Sequence, residues 1–291
     1  SGYSVSLSSD GTIVAIGAPF NDGNGSNSGN RGHVRVYQYN DTSWNKLGQD
    51  IDGEAVNDQS GYSVSLSSDG TIVAIGAPFN DGNGSNSGNR GHVRVYQYND
   101  TSWNKLGQDI DGEAVNDQSG YSVSLSSDGT IVAIGAPFND GNGSNSGNRG
   151  HVRVYQYNDT SWNKLGQDID GEAVNDQSGY SVSLSSDGTI VAIGAPFNND
   201  NGTNSGHVRV YQYNDTSWNK LRQDIDGEAE YDQSGYSVSL SSNGTIVAIG
   251  ASHNDGNGSK SGHVRIYENI FTLDNEIETV LNENPDEFDT K

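Results

Sequence analysis

SGYSVSLSSDGTIVAIGAPFNDGNGSNSGNRGHVRVYQYNDTSWNKLGQDIDGEAVNDQ, residues 1–59, decides the architecture, because the chain repeats it. The string returns at Ser60 and at Ser119, a period of 59 residues. A fourth copy starts at Ser178 and lacks the Asn30-Arg31-Gly32 segment of the first; a fifth starts at Ser234 with the same deletion and runs to about Tyr267. Self-similarity at a fixed period means that one unit, once read, describes nearly the whole chain. The domain reading is therefore a five-module unit over residues 1–269 and an acidic C-terminal tail over 270–291, with Ile270 to Val280 a candidate closing strand.

Within one unit, Tyr3, Val5 and Leu7 alternate with Ser4, Ser6 and Ser8, the period of two that marks a strand, A. Asp10-Gly11 is a tight-turn signal. Thr12 to Ala18 is apolar on both faces, as in a strand covered on both sides, B, and Pro19 ends it. Residues 20–31 are almost all Asn, Asp, Gly and Ser, and read as a loop. His33 to Tyr39 is strand C, and Trp44 to Ile51 strand D. Four short antiparallel strands per repeat, with small residues on the first, give an all-β fold: a β-propeller of four-stranded blades. Five blades are expected, with a part of a larger ring as the alternative. Trp44, Trp103, Trp162 and Trp218 mark strand D in four modules, and the fifth lacks it.

Composition sets limits. The chain is 31% hydrophobic with net charge −23, values that border on those of disordered chains. The concentration of apolar residues in strand-like runs overrules that reading. No cysteine is present, so there is no disulfide, thiol nucleophile or cysteine-based zinc site. Methionine is absent even at position 1, as expected of a processed or trimmed segment. The acidic balance argues against nucleic acid, which needs clustered Lys and Arg. No apolar run approaches the roughly 20 residues of a membrane-spanning helix.

Ser1-Gly2 opening the A–B unit and Gly17-Ala18-Pro19 closing it resemble the FG-GAP repeat, the module of integrin α-subunit propellers and of many secreted bacterial proteins. The pattern recurs as Ser60-Gly61 with Gly76-Ala77-Pro78, Ser119-Gly120 with Gly135-Ala136-Pro137, and Ser178-Gly179 with Gly194-Ala195-Pro196; in the fifth copy Ser252 follows Gly250-Ala251. Two departures stand out. Serine replaces the aromatic of the family name, and the turn Ser8-Ser9-Asp10-Gly11 is too short to carry the calcium loop of calcium-binding members. The resemblance implies a propeller, extracellular or at the cell surface, that works by binding.

Connections in an antiparallel meander alternate between the two ends of the sheet, so the B–C loops and the D–A connectors share one face. The connectors supply Asp52, Glu54, Asp58, Asp111, Glu113 and Asp117 as candidate binding residues. The loops supply oxygens at i, i+2, i+4: Asp22, Asn24 and Ser26; Asp81, Asn83 and Ser85; Asp140, Asn142 and Ser144; Asp255, Asn257 and Ser259. Alternating oxygen donors in a Gly-rich loop suit a hard cation, which makes Ca²⁺ the candidate cofactor; the same residue types also serve ordinary turns. Trp44 and its copies read as packing between blades, with a sugar-stacking platform as the alternative. His33, His92, His151, His207 and His263 occupy one strand position and read as structural or as a repeated contact. A catalytic site needs different residues around the axis, and near-identical modules do not provide them. The expected function is a non-enzymatic, monomeric binding or adhesion propeller that takes a protein or glycan ligand on its acidic face. The alternatives are a lectin-type propeller and a structural spacer.

Overall fold

The computed structural model describes residues 1–22, 29–82, 88–141, 147–268, 270 and 278–280. Blade 1 consists of strands A (Ser4–Leu7), B (Ile13–Ala18) and C (His33–Tyr39), with D in two pieces, Trp44–Lys46 and Ile51–Asp52, both paired to C. The strand pairings within each described sheet are antiparallel, and blades 2, 3 and 4 repeat the sheet from Ser63, Ser122 and Ser181. Blade 5 has Ser234–Leu240, Ile246–Ala251, His263–Glu268 and, as fourth strand, Glu278–Val280 paired to strand C with Arg265 opposite Val280. The fold is an all-β propeller of five blades among the described residues.

Strand D was expected to run unbroken from Trp44 to Ile51; it is interrupted over residues 47–50, and the same interruption stands in module 4 over residues 221–224, where Arg222 replaces the glycine. Gly48 has φ +72°, and a Cβ there would stand 2.9 Å from Cδ1 of Trp103. Within that interruption the missing Cβ of Gly48 makes room for the indole of the next blade. Gly107 and Gly166 do the same for Trp162 and Trp218. In module 4 the position is Arg222, and the module that follows has no tryptophan to accommodate.

Blades are joined by alternating polar and apolar contacts. The strand A serines bond across the seam: Ser4 Oγ donates to the Gly61 carbonyl at 2.8 Å, and Ser6 Oγ accepts from the Leu66 amide at 3.0 Å. Gly17 permits this approach, since a Cβ on it would lie 2.1 Å from the Gly61 oxygen. Apolar clusters also bridge neighbours. Val34, Val36 and Ile51 of blade 1 pack with Val64, Leu66, Val73, Ile75 and Trp103 of blade 2. Trp103 Nε1 donates to the Leu47 carbonyl of blade 1 at 2.8 Å, so the indole is buried with its polar atom satisfied.

Among the described residues these contacts run from blade 1 to blade 5 and do not return from blade 5 to blade 1. Neighbouring strands A touch, whereas Ser4–Leu7 and Ser234–Leu240 make no comparable contact. Trp103, Trp162 and Trp218 are each 3% exposed, but Trp44 is 47% exposed. Val5 and Leu7 are 64% and 60% exposed, against 9% and 7% for Val64 and Leu66. Blade 1 thus offers the face that every later blade presses onto its predecessor. Blade 5 offers the complementary seat, a cavity of about 660 Å³ lined by Tyr236, Ser237, Gly250 and Val264 among others.

Candidate functional site

The B–C loops and D–A connectors meet at one end of each seam. Asp58 and Asp117 lie inside that seam, not on an open face. Asp58 is buried; its Oδ2 accepts from the Ala55 amide at 2.8 Å and from Asn80 Nδ2 of the next blade at 3.0 Å. Asp117 does the same with Ala114 and Asn139, Asp176 with Ala173 and Asn198, and Asp232 with Ala229 and Asn254. Burial pushes the Asp58, Asp117 and Asp176 carboxyls up, partly offset by the asparagine donors.

Glu54 and Glu113 are exposed and reach the next blade. Arg94 Nη1 stands 3.4 Å from Glu54, and Arg153 Nη1 3.2 Å from Glu113; Arg209 meets Glu172 at 3.4 Å, and Arg265 meets Glu228. Arg94, Arg153 and Arg209 also donate from Nη2 to the main-chain carbonyls of Asp52, Asp111 and Asp170. Asp52 and Asp111 therefore take part through their backbones. In blade 1 the equivalent Arg35 pairs with Asp50 at 2.9 Å; its hydrogen bond holds that carboxyl down at about 2.

Beside each arginine lies the strand C histidine. Glu54, His92 and Asp109 bring one ligand atom each within 4.8 Å of one another, as do Glu113, His151 and Asp168, and Glu172, Asp200, His207 and Asp224. Burial, reinforced by Arg94 and Arg153, pushes His92 and His151 down to about 4, and burial likewise lowers His207, so the imidazoles are neutral at neutral pH. The seam ends thus hold several acidic and histidine clusters able to take a metal ion.

The candidate loop ligands are arranged differently. Oδ1 of Asp81 accepts from the Gly88 amide, that of Asp140 from Gly147, and that of Asp255 from Lys260, so each carboxylate closes its own loop. Asp22, Asn257 and Ser259 are exposed. Asn24, Ser26, Asn83, Ser85, Asn142 and Ser144 lie outside the described residues.

Two contributors escaped sequence reasoning. Tyr3, Tyr62, Tyr121, Tyr180 and Tyr236 form a continuous arc on this face, with centroids 4.8–4.9 Å apart. Burial pushes the Tyr62 and Tyr121 hydroxyls up, and Tyr180 up to about 12. The other is the strand C arginine. Its signal was present: His33 and Arg35 interrupt an apolar strand two residues apart, which puts both on one face.

The sequence pattern described as the FG-GAP repeat matches residues 51–90, 110–149, 169–211 and 224–267. Each match begins in the last strand of one blade and continues through strands A and B of the next, so the family's unit straddles a seam. No curated protein matches the chain. Among solved structures, one provisionally assigned as a 6-phosphogluconolactonase from Bacteroides uniformis is 10% identical, with TM-score 0.54 over 96% of this chain and 85% of that one. At that identity the likeness is one of fold.

Proposed function

The chain belongs to the FG-GAP repeat family, and from that premise we propose that it is a non-enzymatic binding propeller of a secreted or surface-exposed protein. Its ligand, a protein or glycan, is taken on the face of B–C loops and D–A connectors. The observation that carries this reading is the repetition of exposed Glu54, Glu113, Glu172 and Glu228 in successive connectors, each of which leads into a tyrosine of the arc at the start of strand A. A face that offers both aromatic rings and carboxylates suits polar ligands that also offer apolar surface. Repetition favours multivalent binding, because equivalent contacts along an arc raise avidity without any single strong site. It disfavours catalysis, which needs unlike groups converging on one reacting atom.

Calcium at the B–C loops belongs to this reading as the ion that would order the face. Binding to immobilised glycoproteins and to a glycan array, with Ca²⁺ and with chelator, tests it. A Glu54→Gln/Glu113→Gln/Glu172→Gln variant that keeps its fold should bind less. Undiminished binding by that variant would move the site elsewhere. An unchanged unfolding midpoint with Ca²⁺ would remove calcium from the account, since an ion selective for the native state raises it.

A further inference from the structure

The seam between blades 3 and 4 departs from the two seams before it in the B–C loop of module 4. In modules 2 and 3, Gly82 and Gly141 pack against an arginine; a Cβ on Gly141 would come within 2.9 Å of Arg149 Cδ. Module 4 lacks that arginine through its three-residue deletion, and Asp200 stands in the glycine's place. The equivalence is structural: the Asp200 amide donates to Asn198 Oδ1 just as the Gly141 amide donates to Asn139 Oδ1. Module 4 has thus lost an arginine from this loop and gained a carboxylate that reaches its strand C histidine.

We propose that Glu172, Asp200, His207 and Asp224 form a site for one divalent transition-metal ion of the zinc class. His207 is fully buried, and neither ring nitrogen has a hydrogen-bond partner. A buried polar atom left unpaired costs about 1–3 kcal/mol, so its place in the fold calls for a partner. Nδ1 lies 3.7 Å from Asp200 Oδ2 and 3.9 Å from Asp224 Oδ2. Those gaps are too long for hydrogen bonds but close to the separation of about 3.4 Å between two tetrahedral ligands of one zinc ion. Imidazole nitrogen with carboxylate oxygen is a donor set for zinc-like ions, whereas calcium takes oxygen alone.

Charge separates this seam from the others. Glu54 and Asp109 are balanced by Arg94 and Lys105. In module 4, Arg209 and Lys220 engage Glu172, and Lys220 engages Asp224 Oδ1, leaving Asp224 Oδ2 toward the imidazole and Asp200 without a matching cation in the group. Asp200 is 56% exposed on its side chain, which gives an ion a path from solvent.

The test is calorimetric titration of the chelator-stripped chain with Zn²⁺, with the visible spectrum of Co²⁺ as second readout. One equivalent is expected, with the intense bands of a tetrahedral site. Asp200→Gly, which restores the residue of modules 2 and 3, and Asp200→Asn should each weaken binding by tenfold or more, and His207→Gln should abolish it. Because Asp200 is exposed, its variants keep the fold whatever becomes of the buried histidine variant. No zinc uptake, three equal sites, uptake indifferent to Asp200, or displacement of the metal by millimolar Ca²⁺ would each overturn the proposal.

Discussion

Asn80 of blade 2 donates to the buried carboxylate of Asp58, which ends the connector from blade 1, at 3.0 Å, and that carboxylate also holds the Ala55 amide. One side chain thus fixes its own turn and the following blade. Asp117→Ala should leave Asn139 and the Ala114 amide unpaired in a buried seam, a loss of about 2–4 kcal/mol. Asn139→Ala should cost less, and the double variant less than the sum of the two. Urea denaturation of the set checks this; strict additivity would mean that the hydrogen bond is not a shared structural unit.

Trp162→Ala should remove about 3–5 kcal/mol, since the indole fills the seam to blade 2 and donates to Leu106. Trp44→Ala should cost under about 1 kcal/mol, because that ring is 47% exposed and stacks on Tyr39 of its own blade instead of filling a seam. Equal losses in unfolding midpoint would show that the face of blade 1 is covered in solution.

Gly107→Ala should destabilise by about 1–3 kcal/mol, because alanine must adopt φ +75° and meet Trp162 at 2.9 Å. Combining it with Trp162→Ala should remove the steric share of that cost, a difference that a thermal-melt cycle would read.

Stability should fall in acid partly through the A–B turns. Burial pushes Asp69, Asp128 and Asp187 up, but hydrogen bonds from the neighbouring serine and threonine outweigh it and hold them below 3.8. A lowered folded pKa contributes stability above 3.8 that is lost as pH drops through the folded value. The raised carboxyls of Asp58, Asp117 and Asp176 act the other way: their contribution is present below 3.8 and lost as pH rises through the folded value. Module 5 shows a neutral substitute, with Asn243 accepting from Ser241 and Thr245. An Asp69→Asn/Asp128→Asn/Asp187→Asn variant should therefore lose less stability than the parent between neutral pH and about pH 3. A parallel loss would assign the acid sensitivity elsewhere.

Sequence alone determined the repeat, the four strands of each blade and the propeller, because these rest on local periodicity, turn chemistry and a period visible without coordinates. It also placed the B–C loops and D–A connectors on one face, since strand alternation fixes which turns share an end. Tertiary structure decided what each polar residue does there. Asp58 and Glu54 stand four positions apart in one connector, yet the first is buried under Asn80 and the second reaches Arg94 from solvent. The difference depends on how the next blade docks, and no local pattern encodes that contact. The same docking separates Trp44 from its three buried copies and sets Asp200 over His207. Identical sequence acquires different environments because burial and electrostatics come from neighbours distant in the chain.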